Sequence, residues 1–275
     1  MTPRTSLRWM TVAAWFVLGL AWPAIAKDRI DTALILAADI SFSVGPYELD
    51  LQRRGYVSAF RDPDVIGAML SGRHGRTAIT YLEWAGPGTQ VVLIPWTIVD
   101  SATAANALAD QLREAPLQRS GETAISSALD QAIAQFQTAP FAERWVIDLS
   151  SDGYNNAGPP VEEARARALY QGITINGLPI VNDSAPDLVA YFQQCVTGGY
   201  GAFTMEVNDP RDFAETLKRK MVHEIAFLGA QLYRAKSVQN IGCDIGERLS
   251  DEEYDKQIDD LTREHPDSWR WQREP

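Results

Sequence analysis

The stretch that decides the fold is Leu34-Ile35-Leu36-Ala37-Ala38-Asp39-Ile40-Ser41-Phe42-Ser43-Val44. Its leading apolar residues predict a buried strand, of the kind found in parallel sheets that helices cover on both faces. Asp39, Ser41 and Ser43 follow at alternating positions where this strand ends. Ligands bind at the carboxyl ends of strands in open α/β sheets, and hard oxygen donors suit Mg²⁺, Mn²⁺ or Ca²⁺. The stretch is therefore a candidate cation site, with an ordinary turn as the alternative because Asp and Ser are common in turns.

The first 26 residues differ from the rest of the 275-residue chain. Arg4 and Arg8 precede an apolar stretch, Trp9 to Trp22, and small residues follow up to Ala26. This pattern is typical of a secretory signal peptide cleaved after Ala26. An uncleaved membrane anchor is disfavoured because the stretch is short for a span. No later segment is long and apolar enough to cross a bilayer, so we expect a protein that is soluble after signal removal and periplasmic or secreted.

The remaining chain divides into two parts. Residues 27–228 alternate between strand-like and helix-like patterns, whereas residues 229–275 lose this rhythm and form a polar C-terminal tail rich in Asp, Glu and Arg. A composition of 45% hydrophobic and 22% charged residues is globular and provides for one large core. The sequence therefore predicts one folded domain, 27–228, between a signal peptide and a tail.

The net charge restricts the classes of partner that the protein can bind, and the cysteines are informative about its cellular compartment. The formal net charge is −11, and it becomes −13 once Arg4 and Arg8 leave with the signal peptide. So acidic a protein is a poor candidate for binding nucleic acid or anionic lipid. Cys195 and Cys243, the two cysteines of the chain, are a reasonable disulfide pair in an exported protein, with two free buried thiols as the alternative. No Cys/His spacing typical of zinc sites occurs.

Periodicity and turn residues predict the element order β-α-β-β-α-α-β-α-β-α-β-α. The short connection Gly86-Pro87-Gly88 requires the strands on either side of it, 77–84 and 90–99, to be antiparallel neighbours. The other strands alternate with helices, as in parallel sheets. We therefore expect an α/β fold that is Rossmann-like and doubly wound, with a mostly parallel six-stranded sheet, one antiparallel edge strand and helices on both faces. Its sixth strand is Phe203 to Val207.

Two further segments carry oxygen-bearing side chains where a predicted helix begins or a predicted strand ends. Thr123 lies in the loop that opens a predicted helix, and Asp152 follows the strand that ends at Leu149. Together with Asp39-Ile40-Ser41-Phe42-Ser43, they resemble the metal-ion-dependent adhesion site of von Willebrand factor type A domains, over residues 30–228. More narrowly, the strings Gly75–Trp84 and Ile173–Ile180 resemble a bacterial family of exported A-type domains catalogued as a domain of unknown function.

The resemblance implies a divalent-cation site and a role for each residue in it. Ser41 and Ser43 would coordinate Mg²⁺ (or Mn²⁺ or Ca²⁺) directly, and Thr123 directly or through water. Asp39 and Asp152 would act largely through hydrogen-bonded waters. The cation would then accept a carboxylate from a protein partner. Taken one by one, the same residues could equally be turn formers and helix caps.

Three functions remain open at this point. The first is an exported binding module that engages a protein partner through the cation. The second is a hydrolase that uses the metal or a serine. It is disfavoured because no Gly-x-Ser-x-Gly motif occurs and no histidine is placed to act as a base for Ser41 or Ser43, so we expect no enzyme. The third is a structural protein whose site is vestigial.

Overall fold

The first strand that the structure describes is the middle strand of the sheet. In the computed structural model, which describes residues 29–226, 241–252 and 256, the strands are β1 (Ile30–Asp39), β2 (Thr77–Trp84), β3 (Gln90–Val99), β4 (Ala142–Ser151) and β5 (Thr174–Pro179). Their order across the sheet is β3-β2-β1-β4-β5. All neighbours are parallel except β3, which is antiparallel to β2. This confirms the predicted α/β fold with one antiparallel edge strand.

Helices cover both faces of the sheet. They are α1 (Pro46–Arg61), α2 (Pro63–Leu70), α3 (Ala102–Glu114), α4 (Ile125–Gln135), α5 (Val161–Tyr170), α6 (Leu188–Tyr191) and α7 (Phe213–Ala226). Side chains of β1 alternate between the two faces, as a strand requires. Leu34 and Leu36 belong to the core shared with α1, α2, α3 and α7, whereas Ala33 and Ile35 belong to the core shared with α4, α5 and α6.

The prediction of a sixth strand at residues 203–207 is only partly right, because the described residues form five regular strands. Residues 203–207 do run parallel to β5, with isolated pairing at Gly177↔Thr204 and Ile180↔Val207. Between these two points the partner residue is Pro179, which has no N–H to donate to Met205. Proline therefore interrupts the ladder, as it does within sheets generally. The segment keeps the place of an edge strand without its continuous hydrogen bonds.

The disulfide predicted between Cys195 and Cys243 is present. Cys195 is buried at the end of a π-helical turn, Phe192–Val196, that continues α6. The bond ties residues 241–252, which are helical over 245–252, to the domain. The predicted signal peptide and most of the predicted tail lie outside the described residues. Of the helices that the structure describes, none has the length and apolarity needed to cross a membrane.

Candidate metal centre

Three chain segments meet at the carboxyl edge of the central strands. β1 and β4 are parallel neighbours in a register that pairs Ala38 with Ser150, so Asp39 and Asp152 emerge at the same edge of the sheet. The loop that carries Thr123 is held beside them by backbone hydrogen bonds, from Phe42 N to Gly121 O at 3.0 Å and from Ser120 N to Ile40 O at 3.0 Å. Parallel pairing thus brings together residues that are far apart in sequence, at the edge where α/β sheets bind ligands.

All five residues singled out in the sequence belong to one hydrogen-bonded cluster. Ser43 Oγ donates to Asp152 Oδ1 at 2.5 Å, and Ser41 Oγ and Ser43 Oγ share a hydrogen bond of 2.8 Å. Thr123 Oγ1 donates to Ser41 Oγ at 3.2 Å. Asp39 Oδ1 accepts from the Ser41 backbone N–H at 2.7 Å. The oxygens of Asp39, Ser41, Ser43, Thr123 and Asp152 therefore converge on one place.

The two carboxyl groups of the cluster lie in a poorly hydrated environment. Asp39 is fully buried and Asp152 nearly so. Burial, followed by repulsion from Asp152, raises the pKa of Asp39 to about 7. Burial, and to a lesser extent the charge of Glu48, raises the pKa of Asp152 to about 6, although hydrogen bonding from Ser43 and the positive charge of Arg119 act in the opposite direction. Two carboxylates held close together in low dielectric create a place where a cation is strongly favoured.

Several residues that the sequence analysis did not assign hold the cluster in place. Ser151 Oγ donates to Asp39 Oδ2 at 2.5 Å, and Asn182 Nδ2 donates to the Asp152 backbone O at 2.8 Å. Asn156 Oδ1 accepts from the Thr123 N–H at 2.8 Å, and the Asn156 N–H donates to Thr123 O at 2.9 Å. These bonds join the loop after β4, which carries Asp152, to the loop before α4, which carries Thr123.

Asn155 links the same loop to the disulfide-bound segment. Its Oδ1 accepts from the Ser126 N–H in the first turn of α4 at 3.0 Å, and its Nδ2 donates to Glu247 Oε1 at 2.8 Å. Gly246 lies so close to this loop that an added Cβ would be 2.1 Å from Asn155 O. No sequence signal identified Glu247, because it lies 92 residues after Asn155.

The rim of the cluster carries an exposed aromatic ring. Phe42 is 64% exposed, and the guanidinium of Arg119 lies 5.6 Å from the centre of its ring while donating to the Phe42 backbone O at 2.5 Å. The histidines that the structure describes lie elsewhere. His74 contacts Glu143 at the amino end of the sheet, with 3.2 Å between His74 Nε2 and Glu143 Oε1, and His223 on α7 packs against Phe203. Neither contacts Ser41 or Ser43.

The donor set fits a hard divalent cation. It consists of three hydroxyls and two carboxylates, the oxygen donors that Mg²⁺, Mn²⁺ and Ca²⁺ prefer. Within the described residues, no group of three or more His, Cys, Asp or Glu is placed to hold a metal ion. The raised pKa values of Asp39 and Asp152 agree with this fit, because a bound cation would offset the burial of their charges.

A family model described as a protein of unknown function, DUF1194, matches residues 29–228. The chain belongs to the DUF1194 family. The sequence resemblance to a family of unknown function is thereby confirmed, and the match covers the whole α/β domain. No curated protein matches the chain.

Solved structures show that this DUF1194 domain has the von Willebrand factor A-like fold. Proximal thread matrix protein 1 from the mussel byssus matches with a TM-score of 0.53 at 14% identity, over 72% of this chain and 47% of that one. The pilus adhesin SpaC from Lactobacillus rhamnosus GG matches with 0.55 at 13%, over 72% and 30%. The vWF domain of the type V pili tip protein Mfa5 from Porphyromonas gingivalis matches with 0.50 at 12%, over 75% and 98%. The chain thus spans less than half the length of the first two.

Proposed function

We propose that this DUF1194 protein is an exported binding module that engages a protein partner through a divalent cation. Ser41, Ser43 and Thr123 would hold the cation, and Asp39 and Asp152 would supply the negative field around it. The observation that carries the proposal is the convergence of these five side chains from three separate segments. Hydroxyl ligands do not neutralise a cation, so it remains able to attract an anionic group of a partner.

The cation would supply an open coordination position for a carboxylate oxygen, and the protein residues would keep that position in place. Asp39 is oriented by Ser41 and Ser151, and Asp152 by Ser43 and Asn182. The exposed Phe42 beside the cluster would offer apolar surface to the partner chain. An adhesin and a pilus tip protein among the structural neighbours support a binding role. The disulfide and the signal-like residues 1–26 support export to the periplasm or beyond.

The direct test is calorimetric titration of Mg²⁺, Mn²⁺ and Ca²⁺ into the chelator-treated protein. We expect saturable binding by the wild type and a loss of about a hundredfold or more in affinity for Asp39→Asn, which removes one charge at nearly constant shape. Glu114→Gln is the matched control, because the Glu114 side chain is 75% exposed and forms an ion pair with its sequence neighbour Arg113. Absence of heat and of thermal stabilisation with all three ions would exclude the mechanism and leave the fold unaffected.

The partner is tested separately from the metal. Proteins retained by the immobilised domain in Mg²⁺ should be released by a chelator and should not bind the Asp39→Asn variant. Binding that persists in the chelator would contradict a cation-mediated contact even if the metal binds. A structural protein with a vestigial site would bind no cation and retain no partner in this way.

A further inference from the structure

Three ionisable side chains meet in the interior, away from the candidate metal centre. Lys220 and Glu224 lie one turn apart on α7, and Asp148 faces them from the middle of β4. Lys220 and Asp148 are fully buried, and Glu224 is 3% exposed. Lys220 Nζ contacts Asp148 Oδ1 directly and donates to Glu224 Oε2 at 3.1 Å. An amine, a carboxyl group and a second carboxylate are thus in mutual contact without access to bulk water.

The surroundings of this cluster are dry and partly aromatic. Lys220 Nζ lies 5.5 Å from the centre of the Phe203 ring. Asn176, the β5 neighbour of Asp148, donates from Nδ2 to Glu224 Oε2 at 3.0 Å and so fixes the position of Glu224. Asp148 Oδ1 is in contact with Lys220, whereas Asp148 Oδ2 has no hydrogen-bond partner within the described part of the chain. Burying a charged pair with an unsatisfied oxygen is unfavourable, because desolvation can exceed the attraction between the charges.

Two protonation states of the cluster are related by one proton transfer: an ion pair, and a neutral amine beside a neutral acid. Burial, followed by repulsion from Glu224, raises the pKa of Asp148 to about 8. Burial alone lowers the pKa of Lys220, although the two carboxylates raise it above its ordinary value. Transfer of one proton from Lys220 to Asp148 removes two buried charges at once. A neutral amine and a carboxylic acid in contact are the two reactants of amide formation.

We propose that Lys220 and Asp148 condense into an intramolecular isopeptide bond that joins α7 to β4, with Glu224 as the proton carrier. The Nζ lone pair attacks Cγ of the protonated Asp148 carboxyl group and forms a C–N bond. Glu224 takes a proton from the attached nitrogen and delivers it to the leaving hydroxyl. The C–O bond then breaks, one water molecule leaves, and Glu224 returns to its starting carboxylate. The new amide N–H keeps Glu224 as its acceptor.

Tryptic mapping of the folded full-length chain tests the bond. Trypsin cleaves after Arg144 and Arg165, so Asp148 is released in residues 145–165, and an acylated Lys220 is not cleaved. We expect a branched peptide of residues 145–165 and 220–234 whose mass is the sum of the two less one water. The control lies in the same molecule: Lys218 Nζ is 2.9 Å from Asp62 Oδ2 in a partly exposed ion pair and should be cleaved normally.

The same tryptic map can also contradict the proposal. Recovery of 145–165 as a linear peptide, with complete cleavage after Lys220, would show an ordinary ion pair and overturn the proposal. In Glu224→Gln, which keeps both reacting groups, we expect the rate of bond formation to fall by about a hundredfold or more. An undiminished yield of branched peptide in that variant would overturn the role of Glu224, and the wild-type map decides the bond even if the variant does not fold. Neither measurement involves the metal centre.

Discussion

Asp39 and Asp152 are carboxyl groups whose pKa values the fold raises, to about 7 and about 6, from an ordinary value of 3.8. In the metal-free protein, the folded state therefore binds more protons than the unfolded state between these values. A raised carboxyl pKa contributes stability that is complete below pH 3.8 and is lost as the pH rises through 6 and 7. We expect the contribution of these two groups to the free energy of unfolding to fall over this range.

Urea unfolding at pH 5 and pH 8 in a chelator measures this effect as the difference between the wild type and Asp39→Asn. The decline with pH should be steeper in the wild type, because the variant has lost one of the two titrating groups. Mg²⁺ should bind more weakly below pH 6, by about tenfold per pH unit for each proton it displaces. Equal pH slopes in the two proteins would contradict the raised pKa of Asp39.

At the residue scale, the sequence identifies the members of the cluster but not the residues that hold them in place by hydrogen bonds. Asp39, Thr123 and Asp152 could be found because each follows a strand or precedes a helix, where topology brings side chains together. Their metal-binding role stays a prediction. Ser151 and Asn182 could not be assigned, since a polar residue at a strand end or in a loop has no periodicity that reveals its partner. The contact of Glu247 with Asn155 could not be predicted from the sequence, because the position of Glu247 depends on the disulfide.

Two glycines lie in helices on the same face of the sheet, and replacing them with alanine is expected to change stability in opposite directions. Gly55 on α1 packs against α7, and an added Cβ would lie 2.5 Å from Phe213 Cδ1. Gly67 on α2 is exposed, with nothing within 4 Å of an added Cβ. Alanine gains about 1 kcal/mol of helix propensity over glycine at either position. At Gly55 overpacking costs about 1–3 kcal/mol and outweighs that gain.

We therefore expect Gly55→Ala to lower the free energy of unfolding and Gly67→Ala to raise it by about 0.5–1 kcal/mol. Chemical denaturation of the two variants beside the wild type measures both shifts. Stabilisation by Gly55→Ala would show that α7 can move away from α1 without loss, and would contradict close packing of these two helices.

One side chain of the segment 241–252, Glu247, supports the loop that carries the candidate metal centre. Glu247 accepts from Asn155, whose own oxygen caps α4 next to Thr123. Loss of such an outer support usually weakens metal binding, and we expect Glu247→Ala to reduce Mg²⁺ affinity by about tenfold. Glu247→Gln keeps an acceptor oxygen and should bind nearly as the wild type does. The exposed Glu252 provides the control, Glu252→Ala. Unchanged affinity in Glu247→Ala would show that Asn155 needs no such partner.

Among the elements, strands and helices with strong periodicity were predictable, and the edge of the sheet was not. The pattern of residues 203–207 correctly indicated an extended segment, which the structure places beside β5. What it could not show was that Pro179, on the partner strand, removes the donor that continuous pairing requires. Strand regularity depends on both partners, and a pattern within one segment contains only half of that information.

For the molecule as a whole, the disulfide is the main covalent restraint that the structure shows. Cys195 and Cys243 are separated by 48 residues. Closing a loop of this size stabilises the folded state by roughly 4 kcal/mol in the loop-entropy model. We expect the double variant Cys195→Ala/Cys243→Ala to lose about that amount, measured by urea unfolding. A loss below about 1 kcal/mol would show that the unfolded chain is already restricted in this region.

The order of strands in the sheet has a consequence for how the chain reaches this fold. β1 is synthesised before the other four strands of the sheet, yet it lies between β2 and β4, and its pairing joins Ile30 to Ala142. One side of its apolar backbone therefore has no partner until the chain has been made through β4. Contacts so distant in sequence slow folding, and an unpaired apolar strand invites association between chains. We therefore expect the apolar central strand to be prone to association with other chains until β4 is available to pair with it.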